Sequence, residues 1–266
     1  MRADPRSGLR SGAEAGPAGQ RSPAWIAPVP ALPVGGRRIA VADLAVILGA
    51  TGGLGTSIVD ALAARGDRVI AVARSRSGVS QLESSYPGVV SGDTADLTSR
   101  SAVDDLWERI DRLGVPRWVV NATGGFRAGK VADSTPDDFT YMMDLNLGSA
   151  WWSCRAAARR MQGGGIVNLS ARSAVVAEPG AAAYAVAKAG VIKLTEVLAA
   201  ELKSSGIRVN AVVPAIIDTP LNRQSLPEKL MQKAVAPAEI AAVIAYLCSD
   251  AASAISGAAI PVYGRY

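Results

Sequence analysis

LAVILGATGGLGTSIVDALAARG, residues 44–66, joins three kinds of text: a short apolar run, a glycine-rich turn and a helical pattern. The run at 44–48 has the length and branched side chains of a buried strand, while from Thr56 onward apolar residues recur at three and four. Gly49, Gly53 and Gly55 between them have the spacing G-x-x-x-G-x-G. Glycine is needed at such a turn because the backbone must bend sharply and approach a pyrophosphate closely. The following helix N-terminus then offers unpaired N–H groups to that anion. Placed after the first strand of the chain, this turn points to a bound dinucleotide.

The same alternation continues outward. LAVILGA, RVIAVAR, RWVVNAT, GGIVNLS, IRVNAVVP and AAIPVYG read as buried strands. TSIVDALAARG, SAVDDLWERIDRLG and AGVIKLTEVLAAELKSSG read as amphipathic helices between them. Continuous apolar strands alternating with such helices predict an α/β fold, a doubly wound parallel sheet with helices on both faces. One domain is expected over residues 39–266, with no internal repeat. Residues 1–38 read as a disordered basic tail, their first 36 rich in Pro, Gly, Ala, Ser and Arg without periodicity. Three readings compete for it: a dispensable tail, a targeting peptide, or sequence upstream of the true start. The first is adopted, since no apolar secretory core is present and the prolines would break an amphipathic transit helix.

Composition excludes several classes. The formal charge is +5, but six arginines and two acids in residues 1–38 account for +4 of it, leaving the body at +1. A near-neutral body is a poor nucleic-acid surface. Apolar runs are too short and too interrupted to span a membrane. There is no histidine, which removes His-based triads and His-containing metal sites, and the two cysteines, Cys154 and Cys248, cannot make a zinc site alone. Both fall in apolar helical text and read as small buried hydrophobes of a reducing cytoplasm. No metal is expected.

The ends of the second and third strands carry the cofactor reading further. VIAVARSRSG ends in Ala73, Arg74, Ser75 and Arg76, where an NAD enzyme tends to place an acid on the ribose 2′-hydroxyl. A 2′-phosphate would be repelled by an acid and welcomed by the guanidinium of Arg74, so NADP(H) is favoured over NAD(H). In GDTADLT, Asp96 could accept from the adenine amino group with Leu97 packed beside it. Asp96 serves equally as an N-cap or a turn residue.

G-x-x-x-G-x-G (49–55), Asp96-Leu97, N-A-T-G (121–124), Asn146, Y-A-V-A-K (184–188) and P-A-I-I-D-T-P (214–220) stand in one order and spacing. In this the chain, over residues 43–265, resembles the short-chain dehydrogenase/reductase superfamily. The resemblance implies a single Rossmann domain with a seven-stranded parallel sheet, assembled as a homo-tetramer or homo-dimer. It implies that Tyr184 protonates the substrate oxygen as hydride arrives. Lys188, one helical turn on, would lower the phenol's pKa, and Asn146 would anchor a water feeding protons to that lysine. Cofactor contacts are implied for Gly49, Thr51, Gly53, Leu54, Gly55, Arg74, Asp96, Leu97, Asn121, Gly124, Tyr184, Lys188, Ile217 and Thr219.

The chain also departs from the family pattern. N-A-T-G replaces N-N-A-G, and Ala215 replaces a glycine after Pro214. Ala171, thirteen residues before Tyr184, takes the place of the serine that bonds the substrate carbonyl. Ser173, two residues on in an extended segment, would project to the same side, and Ser170 away from it. Within the superfamily this combination is similar to dihydropteridine reductase, in Ala171, the Gly-Gly-aromatic stretch 124–126 and residues 213–227. The expected activity is hydride transfer to a carbonyl of a small-molecule substrate. The alternatives are reduction of a quinonoid or conjugated ring, and a cofactor-binding sensor or structural partner that has lost turnover.

Overall fold

The computed structural model describes residues 42–265. The tail expected over 1–38 lies outside the described residues. β1 (Leu44–Leu48) leads through the glycine-rich turn into α1 (Gly55–Arg65), followed by β2 (Arg68–Ala73), α2 (Arg76–Ser85), β3 (Val90–Thr94) and α3 (Arg100–Asp111). The second half begins with β4 (Trp118–Asn121), α4 (Pro136–Met143), α5 (Ser149–Ala158), β5 (Gly164–Leu169) and α6 (Ala182–Glu201). It closes with β6 (Ile207–Pro214), two short helices α7 (Pro220–Ser225) and α8 (Glu228–Met231), α9 (Pro237–Leu247) and β7 (Ala259–Val262).

The seven strands form one parallel sheet in the order β3-β2-β1-β4-β5-β6-β7. Alternation along β1 shows why its text is apolar throughout. Leu44, Val46 and Leu48 enter a core with Trp107 of α3, Cys154 of α5 and Leu194 of α6. Ala45 and Ile47 enter a second core, on the other face, with Ile58 and Leu62 of α1 and Ile240 and Ile244 of α9. A strand covered from both sides has no polar face to offer.

The edges obey a different rule. AAIPVYG was expected to be a buried strand, but β7 is the sheet's edge, with Ala259 and Pro261 exposed and Ile260 and Val262 half-buried. Proline is tolerated at an edge, where a missing donor breaks no inner ladder. From β1 the chain winds outward to β3, then returns to β4 and winds the other way to β7. That reversal opens a crevice beyond the carboxyl ends of β1 and β4, where open α/β sheets bind their ligands.

Helix ends follow local chemistry. Ser99 caps α3, its hydroxyl accepting from the Ala102 N–H at 3.4 Å. Thr135 and Asp138 form a reciprocal capping box on α4. Between α4 and α5 the chain loosens into one π-helical turn, Asp144–Gly148, a feature frequent at functional sites.

Trp107, fully buried among the helices on one face, tests the packing. Trp107→Ala should cost about 3–5 kcal/mol in urea unfolding. A loss under 1 kcal/mol would mean that this core collapses around the gap.

Candidate active site

A cleft of about 290 Å³ opens at the reversal point, and Gly49, Thr51, Arg74, Asp96, Leu97 and Gly124 are among the residues lining it. Six of the residues singled out from the sequence, contributed by the ends of β1 to β4, thus meet around one space. The turn that starts it is sterically closed. A Cβ on Gly55 would stand 2.1 Å from the Gly49 carbonyl oxygen, and one on Gly53 would stand 2.6 Å from Thr219 Cγ2. The second contact seats the 215–219 segment on the glycine-rich turn. A parallel bridge from Ile217 to Val235 supports that segment, with Ile217 half-buried against the α1/α9 core. Unlike α3 and α4, α1 begins with no side-chain cap, so no side chain claims its first amides.

Eight of the expected cofactor residues, Gly53, Leu54, Gly55, Asn121, Tyr184, Lys188, Ile217 and Thr219, fall outside this lining, and the side chains of Leu54 and Asn121 are turned away from it. Leu54 is buried in the core with α1 and α9, and its contribution to the cleft is the turn it helps to shape. Asn121 is 4% exposed, beneath the cleft. Its Nδ2 donates to Asn168 Oδ1 at 2.6 Å and to Cys154 Sγ at 3.2 Å. The family resemblance implied a cofactor contact here, but the side chain is engaged with Asn168 and Cys154 in the interior.

Arg74 and Arg76 separate cleanly. Arg76 is held by Glu83 at 2.7 Å and the Gly92 carbonyl at 3.0 Å. Arg74 is exposed at the cleft with neither hydrogen bond nor ion pair among the described residues. Its charge is felt by Asp96, whose carboxyl is held below the usual range, first by the Thr98 hydroxyl and then by the Thr98 amide. Asp96 Oδ1 accepts from that amide at 3.0 Å and that hydroxyl at 2.7 Å, a turn role, while Ser99 performs the capping. Leu97 is buried beside it.

Tyr184 and Lys188 lie one turn apart on α6. Lys188 is 4% exposed and donates from Nζ to the Leu169 carbonyl at 2.9 Å, and burial pushes its pKa down to about 8. Tyr184 is half-buried, its phenol pushed up to about 12, mainly by burial and further by the charge of Glu178. This differs from the expected lowering by Lys188, and the reason is geometric. Nζ stands 5.9 Å from the Tyr184 ring centre and spends its hydrogen bond on backbone.

Asn146 sits in the π-turn, 1% exposed, its Nδ2 donating to the Gly125 and Met142 carbonyls at 3.0 and 3.1 Å. Its Oδ1 accepts from the Gly125 N–H at 3.2 Å. Gly124 locks the group together. A Cβ there would meet Asn146 Oδ1 at 2.8 Å and Lys188 Nζ at 3.0 Å. One glycine therefore touches the cleft on one side and both polar side chains on the other.

The serine-poor segment resolves differently from the extended reading. After β5, Ala171 is extended and buried, but residues 172–174 form a 3₁₀ turn, so face alternation does not govern Ser173. Ser170 donates to the Lys188 backbone carbonyl at 2.8 Å and is committed there. Ser173 is 7% exposed with no partner for its hydroxyl among the described residues. Thr123 has the same orphan hydroxyl, and it lines the cleft. Sequence reasoning passed over Thr123, although a hydroxyl standing before Gly124 in N-A-T-G was the available signal. Leu145, also in the lining, carried none beyond its apolarity.

Chemically, the arrangement places the Tyr184 phenol, its pKa raised, and the buried Lys188 amine, its pKa lowered, behind a cleft that Gly124 walls and that Arg74, unpaired among the described residues, also lines. Among the described residues no helix is long and apolar enough to cross a membrane.

A family model described as enoyl-(acyl carrier protein) reductase matches residues 49–264. The chain is 35% identical over 240 residues to galactitol 2-dehydrogenase of Rhizobium johnstonii, covering 83% of this chain and 93% of that one. It is 33% identical over 237 residues to 3-oxoacyl-(acyl-carrier-protein) reductase of Pseudomonas aeruginosa, covering 83% and 96%. Among solved structures, a mutant short-chain dehydrogenase/reductase of Serratia marcescens superposes with a TM-score of 0.79 at 28% identity, over 84% of this chain and 97% of that one.

Lys188 supplies a pH test. A lysine whose pKa falls from 10.5 to about 8 on folding binds its proton more readily in the unfolded chain between those values. Stability therefore rises with pH across that window, and the burial penalty is present in full below about pH 8. Lys188→Met should be more stable than the native chain at pH 7, on the order of 2–3 kcal/mol. The difference should close between pH 8 and 10.5 in urea melts taken at stepped pH. A difference that ignores pH would show that Lys188 is not desolvated.

Proposed function

The chain belongs to the short-chain dehydrogenase/reductase family, and from that premise we propose that it is an NADP(H)-dependent reductase of a small-molecule carbonyl. The observation that carries this reading is Gly124, pressed between the cleft and the Asn146–Lys188 pair. The residues present fit a dinucleotide. The uncapped start of α1 and the side-chain-free cleft wall at Gly49 and Gly52 suit a pyrophosphate, the Asp96 oxygen not used by Thr98 suits the adenine amino group, and Arg74 suits a 2′-phosphate. Thr51 and Leu97 line the cleft, and Ile217 and Thr219, on the segment seated on the glycine-rich turn, would flank the bound dinucleotide. Bound NADPH supplies hydride to the carbonyl carbon.

The protein's part is the proton and its placement. A phenol at about 12 stays protonated across the physiological range, the form in which Tyr184 gives its proton to the carbonyl oxygen as charge develops there. Lys188, titrating near 8, is a proton source close to neutrality, and Asn146 fixes Gly125 and hence the loop at the cleft's inner wall. Reduction of a conjugated ring carbonyl or imine, as in dihydropteridine reductase, is the second reading. Ala171 favours it, since a delocalised acceptor needs a serine's hydrogen bond less than an isolated ketone does.

We place the protein in the cytoplasm and as a homo-dimer or homo-tetramer. Supporting the assembly is an apolar groove of about 640 Å³ between α5 and α6, with Trp151 and Val197 half-exposed along it.

Three measurements test this reading. Arg74→Asp should invert an NADPH preference worth on the order of 1.5–3 kcal/mol, and equal native affinity for NADH and NADPH would remove the assignment. Tyr184→Phe should lower turnover about 10²–10⁴-fold with cofactor affinity unchanged, and near-native turnover would place the proton source elsewhere. Trp151→Glu should reduce the native mass seen by light scattering, and an unaltered oligomer would move the interface off this face.

A further inference from the structure

The chain has two phenylalanines, Phe126 and Phe139, and both lie outside the core, 61% and 52% exposed. Single exposed apolar residues are ordinary; the support beneath Phe126 is not. Its ring meets that of Tyr184 edge to face, with centres 5.2 Å apart and planes at 88°. The stretch that carries it is pinned at both ends. Gly125 is bonded in both directions to the Asn146 side chain, at 3.2 and 3.0 Å. Gly129 donates to the Gly180 carbonyl at 2.8 Å, just before α6.

Only three residues separate these anchors, so the ring is held in place before anything binds, and ordering it costs little on binding. Its polar neighbour is already committed. Arg127 pairs with Asp138 at 2.6 Å and lies over the Tyr141 ring at 4.5 Å. After β5, Ala171 is buried and has only a methyl group to offer, and the Ser170 hydroxyl is spent on the Lys188 carbonyl. Whatever packs beside Tyr184 therefore meets a fixed apolar ring whose own polar neighbour is engaged, while the unpartnered hydroxyls of Thr123 and Ser173 are buried.

We infer that Phe126 is the specificity-determining wall of this site, and that the carbonyl substrate carries a flat apolar ring that packs on it. The inference rests on the reading of Tyr184 as proton donor and narrows it from any carbonyl to a ring-bearing one. Stacked or edge-on rings of this kind recognise one another through both apolar area and the ring quadrupole. A polyhydroxylated ketone gains nothing from such a wall.

The test compares 1-tetralone, a flat aromatic ketone, with dihydroxyacetone in native protein, Phe126→Ala and Phe126→Tyr. Binding of 1-tetralone is measured separately by calorimetry on NADP⁺-loaded protein. Phe126→Ala should raise KM and Kd for 1-tetralone about tenfold, with dihydroxyacetone turnover and NADPH affinity within twofold of native. Phe126→Tyr should restore the loss. Equal losses on both ketones would mean that the ring merely braces Tyr184 and would overturn the inference. So would unchanged 1-tetralone binding, no binding by the native protein, or a changed oligomeric state in Phe126→Ala, which would make a second copy the occupant. Native protein that binds 1-tetralone through Phe126 yet reduces neither ketone would sink the reductase reading and leave this wall standing.

Discussion

Burial of β1 on both faces is the constraint from which the rest follows. Every residue from Leu44 to Leu48 is buried, three toward one helical layer and two toward the other. A strand so placed can show no polar group sideways, and its neighbours β2 and β4 are in nearly the same position. Chemistry is therefore displaced to the carboxyl ends, where backbone leaves the sheet and side chains regain freedom. Arg74 leaves β2, Asp96 follows β3, Gly124 follows β4, Ala171 follows β5 and Ile217 follows β6. The exits from β1 to β4 line the cleft, and those from β5 and β6 continue the same edge of the sheet.

Within that space, polar groups are held chiefly by backbone. Lys188 is tied to the Leu169 carbonyl, Asn146 to Gly125 and Met142, and Ser170 to the carbonyl of Lys188 itself. All but the bond to Met142, which runs back to α4, couple α6 or the π-turn to the end of a strand or the chain just beyond it. A buried ammonium is expensive, and one hydrogen bond to a carbonyl recovers only part of the cost, which is why the amine's pKa falls. The fold accepts that penalty beside Tyr184, whose own burial moves the phenol the other way. The two groups thus differ in proton affinity through desolvation more than through mutual attraction.

The sheet, the glycine-rich turn and the Tyr184–Lys188 pair were legible because each depends on local pattern: period, glycine spacing, one helical turn. Gly49, Thr51, Arg74, Asp96, Leu97 and Gly124 do share one cleft, as their place after successive strands predicts. What local pattern cannot carry is direction. Alternation would place Ser173 on the face of Ala171 only in a continuing strand, whereas the chain folds into a 3₁₀ turn directly after Ala171. The edge position of β7 was equally hidden, since a short apolar run reads the same at the rim as in the middle. Phe126 was visible only as a letter in a Gly-Gly-aromatic stretch. Its meaning comes from two anchors, Asn146 and Gly180, that lie 20 and 54 residues away in sequence.

Asn121 shows how a residue bears on the cleft without lining it. Its amide bonds Asn168 on β5 and the Cys154 thiol on α5, and Asn168 in turn donates to Thr195 on α6 at 2.9 Å. Four elements, β4, β5, α5 and α6, meet at this chain of side chains. The network is not fully satisfied, since Asn121 Oδ1 is buried without a partner among the described residues, so each remaining bond matters because its loss leaves another buried group unpaired. The thiol fits this role better than a reactive one, with burial pushing Cys154 up to about 12 and keeping it a neutral donor. By fixing β4 against α6, the network sets where Gly124 meets Lys188. The polar residue at the end of β4 therefore acts on the site through the spacing it imposes on others.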